Sequence, residues 1–383
     1  MTKILMLCYE YPPIGGGGAK VVDGLTAELD KLGHTVDLIT MGFKDLPVVE
    51  QRGNLNIFRI NSFRLRTSIC SWPEMILYII ASFRFLLKLN GKDYYINHTH
   101  FIFPDGILAY ILKKIKNIPY LITAHGSDVP GYNPDRFIIL HTLLKPLWKL
   151  IINNAENIIV PSASLDSLIK AVHPRLHTHI IPNGINIDKY SPSVQKEEKI
   201  LVVTRMFERK GVQHFIRAFS NVNSDFRVNI VGEGPYLEIL KKLAVNQSRI
   251  KFYGFLDNNS KELSELYETS RIFVFTSESE NFPIVLLEAM TAGLAIITSA
   301  NTGCAEVVGD GGLLVNPKDP DQIGKALRSL ITNPSLCTEL GHKARQRAED
   351  LFSWKTVARK YIRLYSSHGL NTESVLLEPL KVK

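Results

Sequence analysis

The sequence has no pair of cysteines at a ligand-like spacing. Its four cysteines, Cys8, Cys70, Cys304 and Cys337, lie far apart with no CxxC or Cys/His cluster, which argues against a zinc site or a disulfide framework and reads as reduced core residues. No stretch reaches the ~18 uninterrupted apolar residues that a membrane span requires. The nearest, "MILYIIASFRFLLKL" from Met75 to Leu89, is broken by Arg84 and Lys88. The first apolar run, "KILMLCY", is too short for a secretion signal, and "YEYPP" stands where a small-residue cleavage site would be, so a cytoplasmic location is expected. Low-complexity tracts are absent too. What is left is a globular composition over 383 residues, too many for one ordinary core and suited to two α/β domains of roughly 150–200 residues each.

Acidic residues are scarce in one region. Residues 51–120 hold ten Lys and Arg (52, 59, 64, 66, 84, 88, 92, 113, 114, 116) against three acids (74, 93, 105), nearly the whole formal charge of +8. Two readings of this basic, apolar segment stand side by side: reversible docking on an anionic membrane surface, or a core-facing helix with a solvated basic face. Nucleic acid is not an expected partner, because the basic residues are not interleaved with aromatics in any recognisable module.

Short β-branched runs alternate with amphipathic segments along the chain. "KILMLCY", "TVDLIT", "IFRI", "YYINHTH", "YLITAHG", "NIIVPS" and "HIIPN" read as strands in the first half. The pattern restarts after the polar "SPSVQKEE" (191–198) with "KILVVTR", "FRVNIVG", "IKFYG", "IFVFTS", "AIITS" and "GLLV". This succession predicts an α/β fold of two doubly wound parallel-sheet domains. Ligands of such domains bind beyond the carboxyl ends of strands. The residues standing there are Gly15 to Gly18, His100, His125, Asn183, Arg205, Gly232 to Gly234, Gly254 and Glu280.

The glycine run of "YEYPPIGGGGAK" does not meet the requirements of a dinucleotide turn. Five residues separate it from the strand, the third required glycine falls on Lys20 or Val21, and the second strand ends "LITMG" without the acid that would hold a ribose. A P-loop is excluded because no Gly-Lys-Ser/Thr follows. There remains a loop ahead of a helix N-terminus, able to offer N–H groups to a phosphate. In "SESENFPIVLLEAMTAGLAIITS", Glu280 and Glu288 are eight residues apart with Pro283 between them. A helix starting near Pro283 would leave Glu280 in the loop before it and Glu288 inside it, with free N–H groups between the carboxylates.

This stretch resembles the ExxxxxxxE motif of the family 4 retaining glycosyltransferases, which have the GT-B fold of two facing Rossmann-like domains with a cleft between them. "YPPIGGGG", "TAHGSDV", "IIPNGINIDKY", "VTRMFERKGVQHFIRAF", "IVGEGP" and "FYGFLDNNSKELSELY" are similar to further family segments, in the family's order. The polar stretch at 191–198 reads as a linker and the polar tail at 368–383 as mobile; the resemblance implies an acceptor-binding domain over 1–190, a nucleotide-sugar domain over 199–352 and a helix at 353–367 returning to the first domain. It also implies transfer of a hexosyl group, with retention and without a metal or other cofactor, from a UDP- or GDP-sugar to a hydroxyl acceptor. Arg205 and Lys210 would then hold the donor diphosphate, and Glu288 the ribose. Glu280 with Asn281, Phe282, Pro283, Ile284 and Val285 would grip sugar hydroxyls and phosphate. Gly254, Phe255 and Leu256 would contact the base through main chain, His125 would sit near the transferred sugar, and Gly16, Gly17 and Gly18 would approach the diphosphate. The chain departs from the family at Asn281, where Gly or Ser is frequent. The last expected glycine of the N-terminal loop matches Gly18 in one register and Ala19 in the other. A DxD occurs only in "KDPDQ" (Asp319, Asp321), where helix capping is the expected role. The basic segment suggests a lipid-linked or cell-surface glycan precursor as acceptor and a peripheral position on the inner membrane face. A nucleotide-sugar epimerase and a non-catalytic binding subunit are the alternatives.

Overall fold

The computed structural model describes residues 3–67, 69–132, 134–191 and 195–367, leaving aside the side chains of 134–141. The tail at 368–383 and part of the 191–198 linker lie outside the described residues. The chain divides into two units: one runs to Gly184 and resumes at Trp354, and the other is Ile185–Ser353.

The first unit is built on β1 (Lys3–Leu7), β2 (Val36–Met41), β3 (Val49–Arg52), β4 (Leu55–Ile60), β5 (Tyr94–His100), β6 (Tyr120–Thr123), β7 (Asn157–Val160) and β8 (Thr178–Ile180). Their order in the sheet is β3-β4-β2-β1-β5-β6-β7-β8, and only the β3–β4 pairing is antiparallel. Seven of these strands are the runs read from the sequence. The eighth, β3, is "VEQR" on the sheet edge with both faces largely exposed, so it carries no burial pattern to read. Helices α1 (Gly17–Lys31), α2 (Trp72–Leu86), α3 (Asp105–Lys116), α4 (Pro134–Asn154) and α5 (Ala163–Val172) belong to this unit. So does the last helix of the chain, Trp354–Ser366, which buries Val357, Ala358, Tyr361, Ile362 and Tyr365 in the first unit's core. The Trp354 ring fills the space beside Gly24, where a Cβ would stand 2.1 Å from it.

The second unit holds β9 (Lys199–Val203), β10 (Arg227–Val231), β11 (Ile250–Gly254), β12 (Ile272–Phe275), β13 (Ala295–Ser299) and β14 (Gly312–Val315). These pair in parallel in the order β11-β10-β9-β12-β13-β14. Its helices are α6 (Val212–Ser220), α7 (Leu237–Leu243), α8 (Lys261–Thr269), α9 (Ile284–Thr291), α10 (Gly303–Val308), α11 (Pro320–Ile331) and α12 (Pro334–Phe352), after which the Trp354–Ser366 helix is α13. Strand side chains alternate between faces: Ile200, Val202, Ile272 and Val274 pack with α6 and α11, whereas Leu201, Phe273 and Phe275 pack with α8 and α9. Coverage of both faces explains why these strands read as unbroken apolar runs.

Candidate functional site

In each sheet the chain builds outward from one strand and then returns to that strand's other side. The switch points fall between β1 and β5 and between β9 and β12, the places where open α/β sheets leave a crevice at their carboxyl ends.

In the second unit this switch brings Lys210 and Glu280 together. β9 and β12 are neighbours, so the loops that follow them emerge side by side. After β9 the chain makes a short turn, Glu208–Lys210, ending at Gly211 with φ +71°. A Cβ on Gly211 would stand 1.9 Å from the Thr276 carbonyl oxygen, so only glycine lets this loop approach the end of β12. Thr276 Oγ1 donates to the Gly211 carbonyl (3.2 Å) and the Glu278 N–H to that of Arg209 (2.9 Å), which locks the two loops together. Between them the Lys210 ammonium donates to Glu280 Oε1, with both side chains about a tenth exposed (9% and 11%). Arg205 is exposed, its guanidinium 5.7 Å from the Phe207 ring centre. Among the described residues it has no carboxylate partner.

Helix α9 starts at Ile284 with Pro283 as its N-cap, one residue later than a start on the proline itself. Asn281, Phe282 and Pro283 are buried, while Ile284 and Val285 are half-buried. The Gly303 N–H donates to the Glu280 carbonyl (3.0 Å), and a Cβ on Gly303 would stand 1.5 Å from the Asn281 oxygen, so α10 presses directly on this loop. Glu288 is buried on α9; Lys189 Nζ donates to its Oε1 (2.8 Å) and the Tyr267 hydroxyl to its Oε2 (3.2 Å). Lys189 lies within "IIPNGINIDKY" but was not singled out in the sequence, since nothing local marks a lysine that meets a carboxylate 99 residues away. Gly254 ends β11 and its carbonyl accepts from the Gly232 N–H (2.7 Å); Glu233, in the same turn, accepts the Met206 N–H (2.8 Å) through its carbonyl. The turn thus connects the Arg205 loop to Gly254. Phe255 is 68% exposed, and Leu256 packs on the core under α9.

In the first unit Gly16 is the N-cap of α1, and Gly17 and Gly18 form its first turn. Among the described residues nothing lies within 4 Å of a Cβ added at Gly16 or Gly17. At Gly18 an added Cβ would stand 2.6 Å from the Phe101 ring and 3.5 Å from the His125 ring, so Gly18 and His125 are neighbours. His125 follows β6, and its backbone is set by Asp128, whose carboxylate accepts from the N–H groups of His125 (3.0 Å), Gly126 (2.9 Å) and Ile102 (2.8 Å). Burial pushes the His125 imidazole down to about 3, so it is neutral near pH 7 and serves as a hydrogen-bonding group. Its Nε2 shares a hydrogen bond of 3.1 Å with Nδ1 of His100, which burial also holds well below the usual histidine range. His100 had only its position after a strand to mark it. Asp128 is within "TAHGSDV", and the signal that could have exposed it is an aspartate two or three residues beyond the N–H groups it can accept.

Asp319 caps α11 by accepting from the N–H groups of Asp321 and Gln322 (both 3.0 Å), which is the role expected from the sequence. Among the described residues no group of three or more His, Cys, Asp or Glu could hold a metal. Cys8, Cys304 and Cys337 are buried free thiols; Cys70 is only half-buried and so is not a core residue.

Two sequence models cover most of the chain: "Glycosyltransferase Family 4" matches residues 15–189, and "Glycosyl transferases group 1" matches residues 185–347. The N-acetyl-alpha-D-glucosaminyl L-malate synthase of Bacillus anthracis is 26% identical over 95% of this chain and 96% of its own length. The alpha-monoglucosyldiacylglycerol synthase of Streptococcus pneumoniae is 24% identical over 85% of this chain and 78% of its own. Among solved structures, sucrose-phosphate synthase from Thermosynechococcus elongatus superposes with a TM-score of 0.81 at 24% identity, covering 96% of this chain and 99% of that one. With two parallel-sheet Rossmann-like units and these relatives, the chain belongs to the family 4 glycosyltransferases of GT-B architecture.

Proposed function

We propose that the protein is a retaining, metal-independent hexosyltransferase that moves a sugar from a UDP- or GDP-sugar to a hydroxyl of a lipid-linked or cell-surface glycan precursor at the inner face of a membrane. The observation that carries this reading is the Lys210–Glu280 pair at the β9–β12 switch point, with Arg205, which has no carboxylate partner among the described residues, on the same loop. An ammonium has three N–H donors, and Glu280 takes one of them. The others, with the Arg205 guanidinium, suit the two phosphates of a nucleoside diphosphate.

In the proposed reaction the acceptor hydroxyl oxygen bonds to the anomeric carbon on the face from which the bond to diphosphate breaks. The departing phosphate oxygen takes the hydroxyl proton. Negative charge grows on the diphosphate, where Arg205, Lys210 and the start of α9 stabilise it. Glu280 and the segment Asn281–Val285 hold sugar hydroxyls and phosphate. Neutral His125 offers the sugar a hydrogen bond, and Gly16, Gly17 and Gly18 offer phosphate oxygens the N–H groups of a helix end. Ribose hydroxyls share the Glu288 carboxylate with Lys189, since a carboxylate has about four acceptor sites, and the main chain of Gly254–Leu256 meets the base. The relative named for a glucosyldiacylglycerol product supports a lipid acceptor.

The test is a panel of UDP- and GDP-sugars with membrane extract as acceptor, scored by product mass and anomeric configuration. Arg205→Ala and Lys210→Ala are each expected to lower kcat/KM by roughly 10²–10³, the scale of losing one group that stabilises transition-state charge. Near-normal rates in both would refute the diphosphate assignment. Free nucleoside diphosphate released from donor without acceptor would point to an epimerase.

A further inference from the structure

Helix α9 carries a carboxylate where its neighbours are apolar. Leu286, Leu287, Ala289 and Met290 are buried on either side of Glu288, which is buried with them. Replacing a buried ion pair by apolar side chains is often neutral or stabilising, so stability does not by itself explain a glutamate here. Its two oxygens are met differently. Oε2 accepts from Tyr267, which is fully buried, whereas Oε1 accepts from Lys189, whose side chain is 23% exposed. Of these two partners only Lys189 reaches solvent, so a ligand that meets the carboxylate from that side meets the ammonium as well.

The ammonium is presented by an ordered turn. The Asn186 carbonyl accepts the Lys189 N–H (3.2 Å), and Asn186 Oδ1 accepts the Asp188 N–H (3.1 Å). Arg345 on α12 donates to the Tyr190 carbonyl (3.5 Å) and to that of Thr291 at the end of α9 (2.5 Å), so turn and helix share one anchor. The Tyr190 ring centre lies 4.7 Å from the ammonium and 4.6 Å from the Tyr267 ring. Its hydroxyl is buried with no hydrogen-bond partner among the described residues. The polar cluster around Glu288 is thus not closed on itself, which a buried structural network would be.

An ammonium offers only donors and a carboxylate only acceptors, whereas a hydroxyl both donates and accepts. We propose that Lys189 is a donor-binding residue that sets sugar specificity: its ammonium and the Glu288 carboxylate together take the vicinal diol of a ribose, and so select ribonucleoside over 2′-deoxyribonucleoside diphosphates. The ion pair persists in the bound state, because three N–H donors and about four acceptor sites serve both the pair and the hydroxyls. A 2′-deoxyribose displaces water from both charged groups and returns fewer hydrogen bonds, which is how a site built for a hydroxyl rejects its absence. The inference rests on the reading of Glu288 as the ribose-binding carboxylate and adds Lys189 to it.

The experiment is calorimetry on the full chain with UDP, GDP and the 2′-deoxy form of each. The nucleotide that binds is expected to lose roughly 10- to 100-fold in affinity without its 2′-hydroxyl. Lys189→Met should bind both forms alike, and Lys189→Arg should restore part of the difference. Glu288→Gln should keep a part of it, since Lys189 still donates, and Glu288→Gln with Lys189→Met should keep none. The last two variants carry the test if Lys189→Met alone fails to fold, because neither leaves a buried charge facing an uncharged side chain that cannot donate. Parental discrimination in Lys189→Met, or no difference between Glu288→Gln and the double variant, would overturn the proposal. If Lys189→Met discriminates and Glu288→Gln does not, the ribose reading of Glu288 stands and the role of Lys189 falls. Binding of neither UDP nor GDP would refute the proposed function and this inference together.

Discussion

Replacing Lys210 with Met removes the cation from a carboxylate that is itself only 11% exposed. Breaking a buried pair in this way costs about 3–5 kcal/mol. Because each side chain keeps about a tenth of its surface in water, the cost falls to the bottom of that range or just below it, roughly 2–3 kcal/mol. Removing the carboxylate as well, in Lys210→Met/Glu280→Gln, should recover most of this, so the double-mutant cycle should show a coupling of roughly 2 kcal/mol. With a urea slope of about 2 kcal/mol per molar, the single variant shifts the midpoint of the second unit down by roughly 1–1.5 M. The assay can separate the units, since Trp72, Trp148 and Trp354 all belong to the first. Tryptophan fluorescence should report an unchanged transition, while far-UV circular dichroism should show the early loss. A cost within the roughly 0.5 kcal/mol of an ordinary surface substitution, or additive single effects, would refute the picture of a buried pair poised at the site.

Nε2 of His100 is buried without a partner among the described residues, and an orphaned N–H is costlier than an orphaned acceptor. The His100 proton therefore belongs on Nδ1, donating to His125 Nε2 and leaving the His125 proton on its own Nδ1. His100→Leu should lower kcat roughly tenfold, about the net worth of one hydrogen bond, without changing the donor KM. His100→Asn should restore part of it, and ¹⁵N shifts should show His125 as the Nδ1–H tautomer; the Nε2–H tautomer would refute the assignment. Burial pushes the Asp105 carboxyl, bonded to Tyr9 N–H and the Tyr78 hydroxyl, up to about 8. Its folded value lies above its unfolded one, so its stabilising contribution is present below about pH 4 and lost as pH rises through 8. Asp105→Asn should accordingly gain stability relative to the parent across that window, by at most about 6 kcal/mol, seen in fluorescence-monitored unfolding; a pH-independent difference would refute it. Gly211→Ala, with its Cβ against the Thr276 carbonyl, should displace the Lys210 loop and weaken nucleoside diphosphate binding at least tenfold by calorimetry, with the first unit's unfolding unchanged.

Most strands were legible because local composition reports burial on both faces, and all thirteen runs became parallel strands, including β8 and β11, which are largely half-buried or exposed. β3 was not, because an exposed edge strand pairs through its backbone and leaves no mark on its side chains. The site was half legible. The spacing of Glu280, Pro283 and Glu288 is a property of one loop and one helix, and it could be read along the chain. The contacts of Lys210 with Glu280, Lys189 with Glu288 and His100 with His125 could not.

By itself, then, the sequence determined the two sheets, the helix that starts beside Pro283 and the loops that carry reactive side chains, since each follows from residues within a few turns of one another. Only the tertiary structure decided which loops meet, because that depends on strand order: the return of β12 to the free side of β9 sets Glu280 against Lys210. It also decided which way α2 faces. Apolar residues surround that helix on every side, so periodicity offers no inward face, and the bonds of Glu74 to the preceding loop and of Tyr78 to Asp105 turn its polar residues inward and leave Ile76, Leu77 and Ile80 outside.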